Sequence, residues 1–264
     1  MNTQSLYNTG KRIIGFVNQK GGVGKTASTL SIGAGLALSG QKVLLVDGDP
    51  QGNLSMFFTP DKKPGFYDLL RDLNEGAYSN TENYILRDIR DNLDIIPNQQ
   101  RELRTLMHDT QISQIAPRFI EILRGMKSSY DWILIDCSPS NGALERTLVS
   151  ACDTVIVPLE FQVFSISGLS GLLDEIKVWG NETGREISVD ALIFTKTEKR
   201  INRMNEYREI FSNFRIPIFE VCKSESLPKS IETGKTIWEN APTGFAAADY
   251  YHIITQVFLG TDDE

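Results

Sequence analysis

The stretch IIGFVNQKGGVGKTASTL, residues 13–30, decides the fold. It opens on apolar residues 13–17, which show none of the strict polar alternation of a half-exposed strand, as expected of a strand covered on both faces. Gly21, Gly22 and Gly24 follow, and then a segment, residues 25–38, with the pattern of an amphipathic helix. Glycines at these positions let the backbone curl and turn its N–H groups inward as an anion cradle. The helix that follows adds the positive end of its dipole. Lys25 can reach the β/γ-phosphates of a nucleotide, and the Thr26 hydroxyl can ligate magnesium. The general pattern G-x-x-x-x-G-K-[ST] would place glycine at position 19, where this chain has Gln19, and an additional lysine, Lys20, precedes the first glycine.

Working outward, further apolar runs at residues 43–46, 93–96, 132–135, 154–158 and 189–194 predict buried parallel strands. Helix-like segments lie at 115–126, 143–150, 167–178 and 202–211. Strands alternating with helices imply right-handed crossovers and a doubly wound α/β fold, a mostly parallel sheet with helices on both faces. Residues 67–73 and 85–88 are expected as helical insertions. No linker-like composition divides the 264 residues, so one domain over 1–264 is expected, with 1–11 and 261–264 flexible.

Two more segments carry candidate chemistry. In VLLVDGDPQGN, residues 43–53, a strand delivers Asp47 and Asp49 to its C-terminal edge, where open α/β sheets bind ligands. Carboxylates beside a triphosphate can orient water or hold magnesium through water. They can equally cap the next turn, because Asp-Gly and Asp-Pro are turn formers; Asp49 is the favoured functional group. In YDWILIDCSPS, residues 130–140, four apolar residues lead into Asp136, the pattern of a strand-end carboxylate that supports magnesium. Asp131 reads as a turn residue, and Cys137 as packing beside the site.

Bulk composition narrows the classes. A net charge of -7 argues against a surface that grips nucleic acid everywhere, but not against a local basic face. Three scattered cysteines, Cys137, Cys152 and Cys222, form neither a disulfide framework nor a metal-ligand set, which fits a reducing, cytoplasmic setting. The first dozen residues lack a signal-peptide core, and no run of about 18 apolar residues offers a membrane span. Residues 243–259, TGFAAADYYHIITQVFL, contain no Lys or Arg and precede an acidic end, so they are expected to pack on the sheet and not to dock on a membrane. Tyr250 and Tyr251 are expected as core and edge residues of that helix.

KGGVGKT, DGDPQGN and IDCSPS, in this order, resemble the ParA/MinD group of deviant-Walker-A P-loop ATPases, and IIPNQQREL (95–103) and VIVPLEFQVFSISGL (155–169) are similar to its ParA branch. The resemblance runs from about residue 12 to the C-terminal helix. It implies ATP and Mg2+ as ligands, with Lys20, Gly21, Gly22, Val23, Gly24, Lys25, Thr26 and Ala27 on the nucleotide. It further implies a catalytic set of Lys20, Lys25 and Asp49, and a metal set of Thr26, Asp49 and Asp136. An ATP-sandwich homodimer is implied in which Lys20 crosses to the partner's phosphates. Ala27 and Gly48 depart from relatives that carry a second hydroxyl and a larger apolar residue there. Residues 196–235 hold nine Lys/Arg and six Glu, a net +3 against -10 for the remainder. With the resemblance, this asymmetry points to non-specific DNA contacts, with Lys199, Arg200, Arg203, Lys223, Lys229 and Lys235 as candidates; Lys223 and Ser224 are also weak candidates for the adenine side.

The function so implied is a partition or positioning ATPase, slow and partner-stimulated, working on the nucleoid with a ParB-like protein and no membrane. Alternatives of other classes are a positioning ATPase of the McdA/MinD type acting on a protein or other scaffold, and a P-loop metabolic ligase.

Overall fold

The computed structural model describes residues 12–58, 64–98, 109–160, 166–197 and 211–260. Eight strands form one sheet in the order β3-β4-β2-β5-β1-β6-β7-β8. In chain order they are β1 (Arg12–Phe16), β2 (Val43–Asp47), β3 (Leu86–Arg90), β4 (Leu93–Ile96), β5 (Trp132–Asp136), β6 (Thr154–Glu160), β7 (Ser188–Thr197) and β8 (Ile218–Cys222). All neighbours run parallel except β3, which pairs antiparallel with β4 at one edge. The helices are α1 (Lys25–Leu38), α2 (Asn53–Phe58), α3 (Phe66–Glu75), α4 (Asp109–Gly125), α5 (Ala143–Ala151), α6 (Ile166–Glu182), α7 (Ser226–Thr233), α8 (Ile237–Asn240) and α9 (Phe245–Ile253), the last continuing as a π-helical turn over Ile254–Leu259.

The apolar runs become strands because both faces of the sheet are covered. Along β1, Ile13 and the following Val17 join one core cluster, with Phe66, Phe119, Leu148 and Leu172. The alternate residues Ile14 and Phe16 join the other, with Leu30, Leu45 and Tyr250. Side chains of a strand point to opposite faces by turns, so a continuous apolar run is what two-sided burial requires. The C-terminal helix lies in the second cluster, as its sequence suggests. Tyr250 is 1% exposed and its hydroxyl lies 3.1 Å from the Ser28 hydroxyl on α1, whereas Tyr251 is 59% exposed.

The sequence reading needs correction at residues 85–88, which are not helical. Residues 86–90 form the edge strand β3, joined to β4 by a tight turn. Asn92 sits in that turn with φ 60°, the left-handed geometry that asparagine tolerates in hairpins. Asp94 secures the pair: it accepts from Asp88 N at 2.8 Å, Arg87 Nη1 at 2.7 Å and Tyr130 Oη at 2.6 Å. The helix expected to begin at 115 starts at Asp109 and accommodates Pro117 inside it, at the loss of one backbone hydrogen bond. Strand β8 and helices α7 and α8 carry no strong pattern in the sequence. The helix expected over 202–211 lies, except for Phe211, outside the described residues.

β1 occupies the centre with β5 on one side and β6 on the other. The chain leaves β1 toward β2 and later resumes on the opposite side with β6. This is the reversal of winding direction beside which open α/β sheets form their ligand crevice.

Phe119 is 1% exposed and meets Phe66 edge-on, with ring centroids 5.7 Å apart. Phe119→Ala is expected to cost about 3–5 kcal/mol. The melting temperature should fall by about 2–4 °C for each kcal/mol; differential scanning calorimetry checks this.

Candidate nucleotide site

The loop after β1 is held in shape from three sides. Asn18, 2% exposed, donates through Nδ2 to the Pro158 carbonyl at 2.7 Å and accepts the Lys20 N–H at 2.9 Å. Val23 is fully buried, and its carbonyl accepts the Thr195 hydroxyl at 2.9 Å. Gly22 and Gly24 have φ of 76° and 90°, a conformation that costs residues with a Cβ. A Cβ built on Gly21 or Gly22 would meet nothing within 4 Å, so the loop's outer lip is open to a ligand. Gly24 caps α1 with no side chain, leaving the first-turn N–H groups turned toward the same opening.

Charge is concentrated beneath this lip. Lys25, 6% exposed, folds back so that Nζ donates to the Asn18 carbonyl at 2.8 Å and the Lys20 carbonyl at 3.2 Å. Burial lowers its pKa, opposed by the negative charge of Asp136. Thr26 donates its hydroxyl to Asp136 Oδ2 at 2.6 Å, joining the first turn of α1 to the end of β5. Asp136 is 1% exposed and its Oδ1 is buried with no hydrogen-bond partner. Burial raises its pKa to about 7; Thr26 and Lys25 pull it down, and Asp49 pushes it further up. A hydroxyl and a carboxylate with an orphaned oxygen are hard oxygen donors, the type magnesium takes. Among the described residues no group of three or more His, Cys, Asp or Glu can hold a metal. Phosphate oxygens and water would complete such a site, as is common for magnesium.

The two aspartates after β2 separate into different roles. Asp47 is fully buried, accepts from the Ser55 backbone N–H at 2.8 Å and the Ser55 hydroxyl at 2.5 Å, and ties the end of β2 to α2. Its strand partner in register is Asp136. Burial first, then repulsion from Asp136, raises its pKa well above the ordinary carboxylate value. Asp49 begins the next turn, accepting the Gln51 N–H at 2.8 Å, while Asn98 Nδ2 holds the Asp49 carbonyl at 3.0 Å. Gly48 between them has a packing reason. A Cβ there would stand 2.5 Å from Leu148 Cδ1 and 3.0 Å from the Asp136 carbonyl, so α5 fills the space a larger residue would need.

The structure therefore brings residues 20–27, Asp49 and Asp136 to one edge of the sheet. Ala27, half-buried, follows Thr26 on α1. Lys20 is half-buried and its Nζ lies 3.7 Å from Glu160 Oε2. Cys137 is fully buried with its thiol pKa pushed up by burial, and Asp131 accepts the Lys42 N–H in a turn, both as read from the sequence. Lys223, Lys229 and Lys235 are exposed before, on and after α7, and Ser224 is half-buried beside Ser226. Lys199, Arg200 and Arg203 lie outside the described residues.

Sequence reading missed Asn18, Ser55, Asn98, Glu145, Glu160, Thr195 and Lys196. Glu160, Thr195 and Lys196 stand at the C-terminal ends of β6 and β7, the same edge as the loop. Counting strand-end polar residues would have found them. Glu145 carried no signal. It lies in the first turn of α5, fully buried, and neither carboxylate oxygen has a hydrogen-bond partner.

A central parallel sheet with a lysine-bearing glycine loop at its winding reversal defines a P-loop nucleotide-binding protein. A family model described as AAA domain matches residues 11–189. A chromosome-partitioning ATPase Soj of Treponema pallidum is 37% identical over 84% of this chain and 85% of its own length. The sporulation initiation inhibitor protein Soj of Bacillus subtilis is 29% identical over 93% of this chain and 98% of its own. Among solved structures, a McdA–ATP complex from Cyanothece superposes with a TM-score of 0.78 at 18% identity, covering 96% of this chain and 98% of that one. The chain belongs to the ParA/Soj family of partition ATPases within the AAA-domain group. No helix among the described residues is long and apolar enough to cross a membrane.

Glu145 generates a pH-dependent prediction. Burial raises its pKa from 4.5 to about 8, with Lys25 opposing and Glu175 adding to the rise. The folded chain thus binds this proton more tightly than the unfolded one, and stability falls as pH rises between those two values. Glu145→Leu removes the penalty. The variant's melting temperature relative to wild type should climb from pH 5 to pH 8.5; a constant difference over that range would mean the carboxyl is compensated.

Proposed function

We propose that this chain is a partition or positioning ATPase that binds ATP with magnesium, dimerises around it, and hydrolyses it slowly until a partner protein accelerates the step. The observation that carries this reading is the Thr26–Asp136 contact at 2.6 Å, with Asp136 Oδ1 buried and unpartnered at the foot of an open glycine loop. Such a pair would suit a divalent cation that accompanies a nucleotide. In this reading the N–H groups of residues 21–26 and the helix end hold the phosphate oxygens. Lys25 swings from the Asn18 carbonyl onto the β/γ-phosphates, and Thr26 and Asp136 would hold the magnesium. The metal supplies compensation for charge on the transferring phosphoryl oxygens.

Asp49 orients the attacking water from the turn after β2, with its backbone fixed by Asn98. Lys20 reaches across the dimer to the partner's phosphates. A cation contributed by a second copy makes hydrolysis depend on association, as an arginine finger does, at about 10³–10⁵ in rate. The Soj and ParA relatives named for chromosome partitioning support the cellular role. Non-specific DNA is the surface this reading assigns to the dimer. The net +3 of residues 196–235 supports it, with Lys223, Lys229 and Lys235 exposed and with Lys199, Arg200 and Arg203 in the same stretch of sequence. A ParB-like protein is the proposed accelerator.

Lys20→Ala and Asp49→Ala should each lower partner-stimulated turnover by about 10²-fold or more while ATP still binds, as single-turnover and binding assays would report; normal turnover in both variants overturns the mechanism. Mobility shifts on DNA of unrelated sequence should require ATP and weaken steeply with salt. No shift at low salt would move the surface from DNA to a protein scaffold.

A further inference from the structure

Two charged side chains outside the residues just assigned, Glu160 and Lys196, meet Lys20 at the lip of the glycine loop. Glu160 ends β6 and Lys196 stands near the end of β7, both at the edge from which the loop rises. Lys20 Nζ lies 3.7 Å from Glu160 Oε2, and Lys196 Nζ lies 3.3 Å from Glu160 Oε1. One carboxylate therefore serves two lysines, one oxygen each. Lys196 makes a second contact, donating to the Gly22 carbonyl at 2.9 Å. Its backbone is also unusual: φ is 57°, a left-handed conformation in a strand residue that is not glycine. That conformation costs free energy and persists only where the surroundings impose it.

The proposed function asks Lys20 to leave its own protomer for a partner's phosphates. If Glu160 paired with Lys20 alone, that departure would strand a carboxylate beside a triphosphate, where like charge opposes binding. With Lys196 on the other oxygen, Glu160 stays compensated after Lys20 goes. The second lysine also has a fixed place, because its Nζ is tied to the loop through Gly22.

Resting on that reading, we propose that Glu160 and Lys196 are positioning residues that act through Lys20: Glu160 holds the lysine retracted on its own protomer, and Lys196 competes for the same carboxylate and eases its release. The pairs are partly exposed, with side chains 37% and 29% accessible for Lys20 and Glu160 and 49% for Lys196. Their effect is accordingly modest, since exposed pairs contribute about 0–1 kcal/mol, or up to roughly fivefold in an equilibrium.

Dimer formation is titrated with a non-hydrolysable ATP analogue and magnesium and read by sedimentation, alongside ADP binding to the monomer. Glu160→Gln should lower the analogue concentration at half-maximal dimer about two- to fivefold, and Lys196→Ala should raise it by a similar factor. ADP binding by a monomer has no use for a partner's lysine, so its affinity in Glu160→Gln should stay within about twofold of wild type. Shifts of the same sign in both variants, or no shift in either, overturn the proposal. An ADP affinity in Glu160→Gln that moves as far as the dimer midpoint also overturns it, because the carboxylate would then act on bound phosphates directly. A wild-type chain that remains monomeric with the analogue overturns the proposed function itself and not only these roles.

Discussion

Negative charge gathered at the ends of buried strands is the constraint on which this structure turns. Asp47 and Asp136 face each other in register on neighbouring strands, both all but inaccessible to water. Two carboxylates so placed repel each other and lose hydration, which no folded chain leaves uncompensated without consequence. The local compensation is incomplete. Ser55 satisfies Asp47, Thr26 takes one oxygen of Asp136, and Lys25 lies close enough to lower the pKa of Asp136. One oxygen of Asp136 is left over. The glycine loop, the N-terminal end of α1 and Lys25 supply positive charge on the same edge of the sheet, the combination that suits a phosphate with its cation.

How the loop is kept in shape follows from the order of strands. Because β6 and β7 lie beside β1, their ends supply Pro158 and Thr195 to the loop that β1 launches. The opposite neighbours β5 and β2 bring Asp136, Asp47 and Asp49. The winding reversal thus sorts the site into a supporting half and an acidic half, with the phosphate cradle between them.

Most of the sheet was legible because a strand buried on both faces must be apolar throughout, and five such runs plus the glycine loop settle a parallel core. The edges were not legible, because β3 and β8 are only half-covered and carry charges such as Arg87, Asp88 and Glu220. Asp88 and Asn92 adopt left-handed geometry in this hairpin, and the Asp91-Asn92 turn former is the local signal that reading residues 85–88 as helix overlooked. In the site, Lys25 and Thr26 stood out by their place after the glycines, and Asp136 by its place at the end of an apolar strand. Thr195 and Glu160 could be found only as polar residues at strand ends, with no partner attached until their neighbours in space are known, and Asn18 gave no such sign. Asp49 was already favoured over Asp47 in the sequence; the Ser55 contacts add that Asp47 is the one engaged in holding the backbone.

The contact between Val23 and Thr195 spans 172 positions of the sequence, and that between Ser28 and Tyr250 spans 222. A ribosome adds residues at about 5–20 per second, so the glycine loop emerges many seconds before the parts that brace it. The nascent chain therefore carries a phosphate-binding sequence without a finished phosphate-binding site. Thr195, which holds the loop at Val23, and Tyr250, which meets α1 at Ser28, are the late arrivals in that sequence of synthesis.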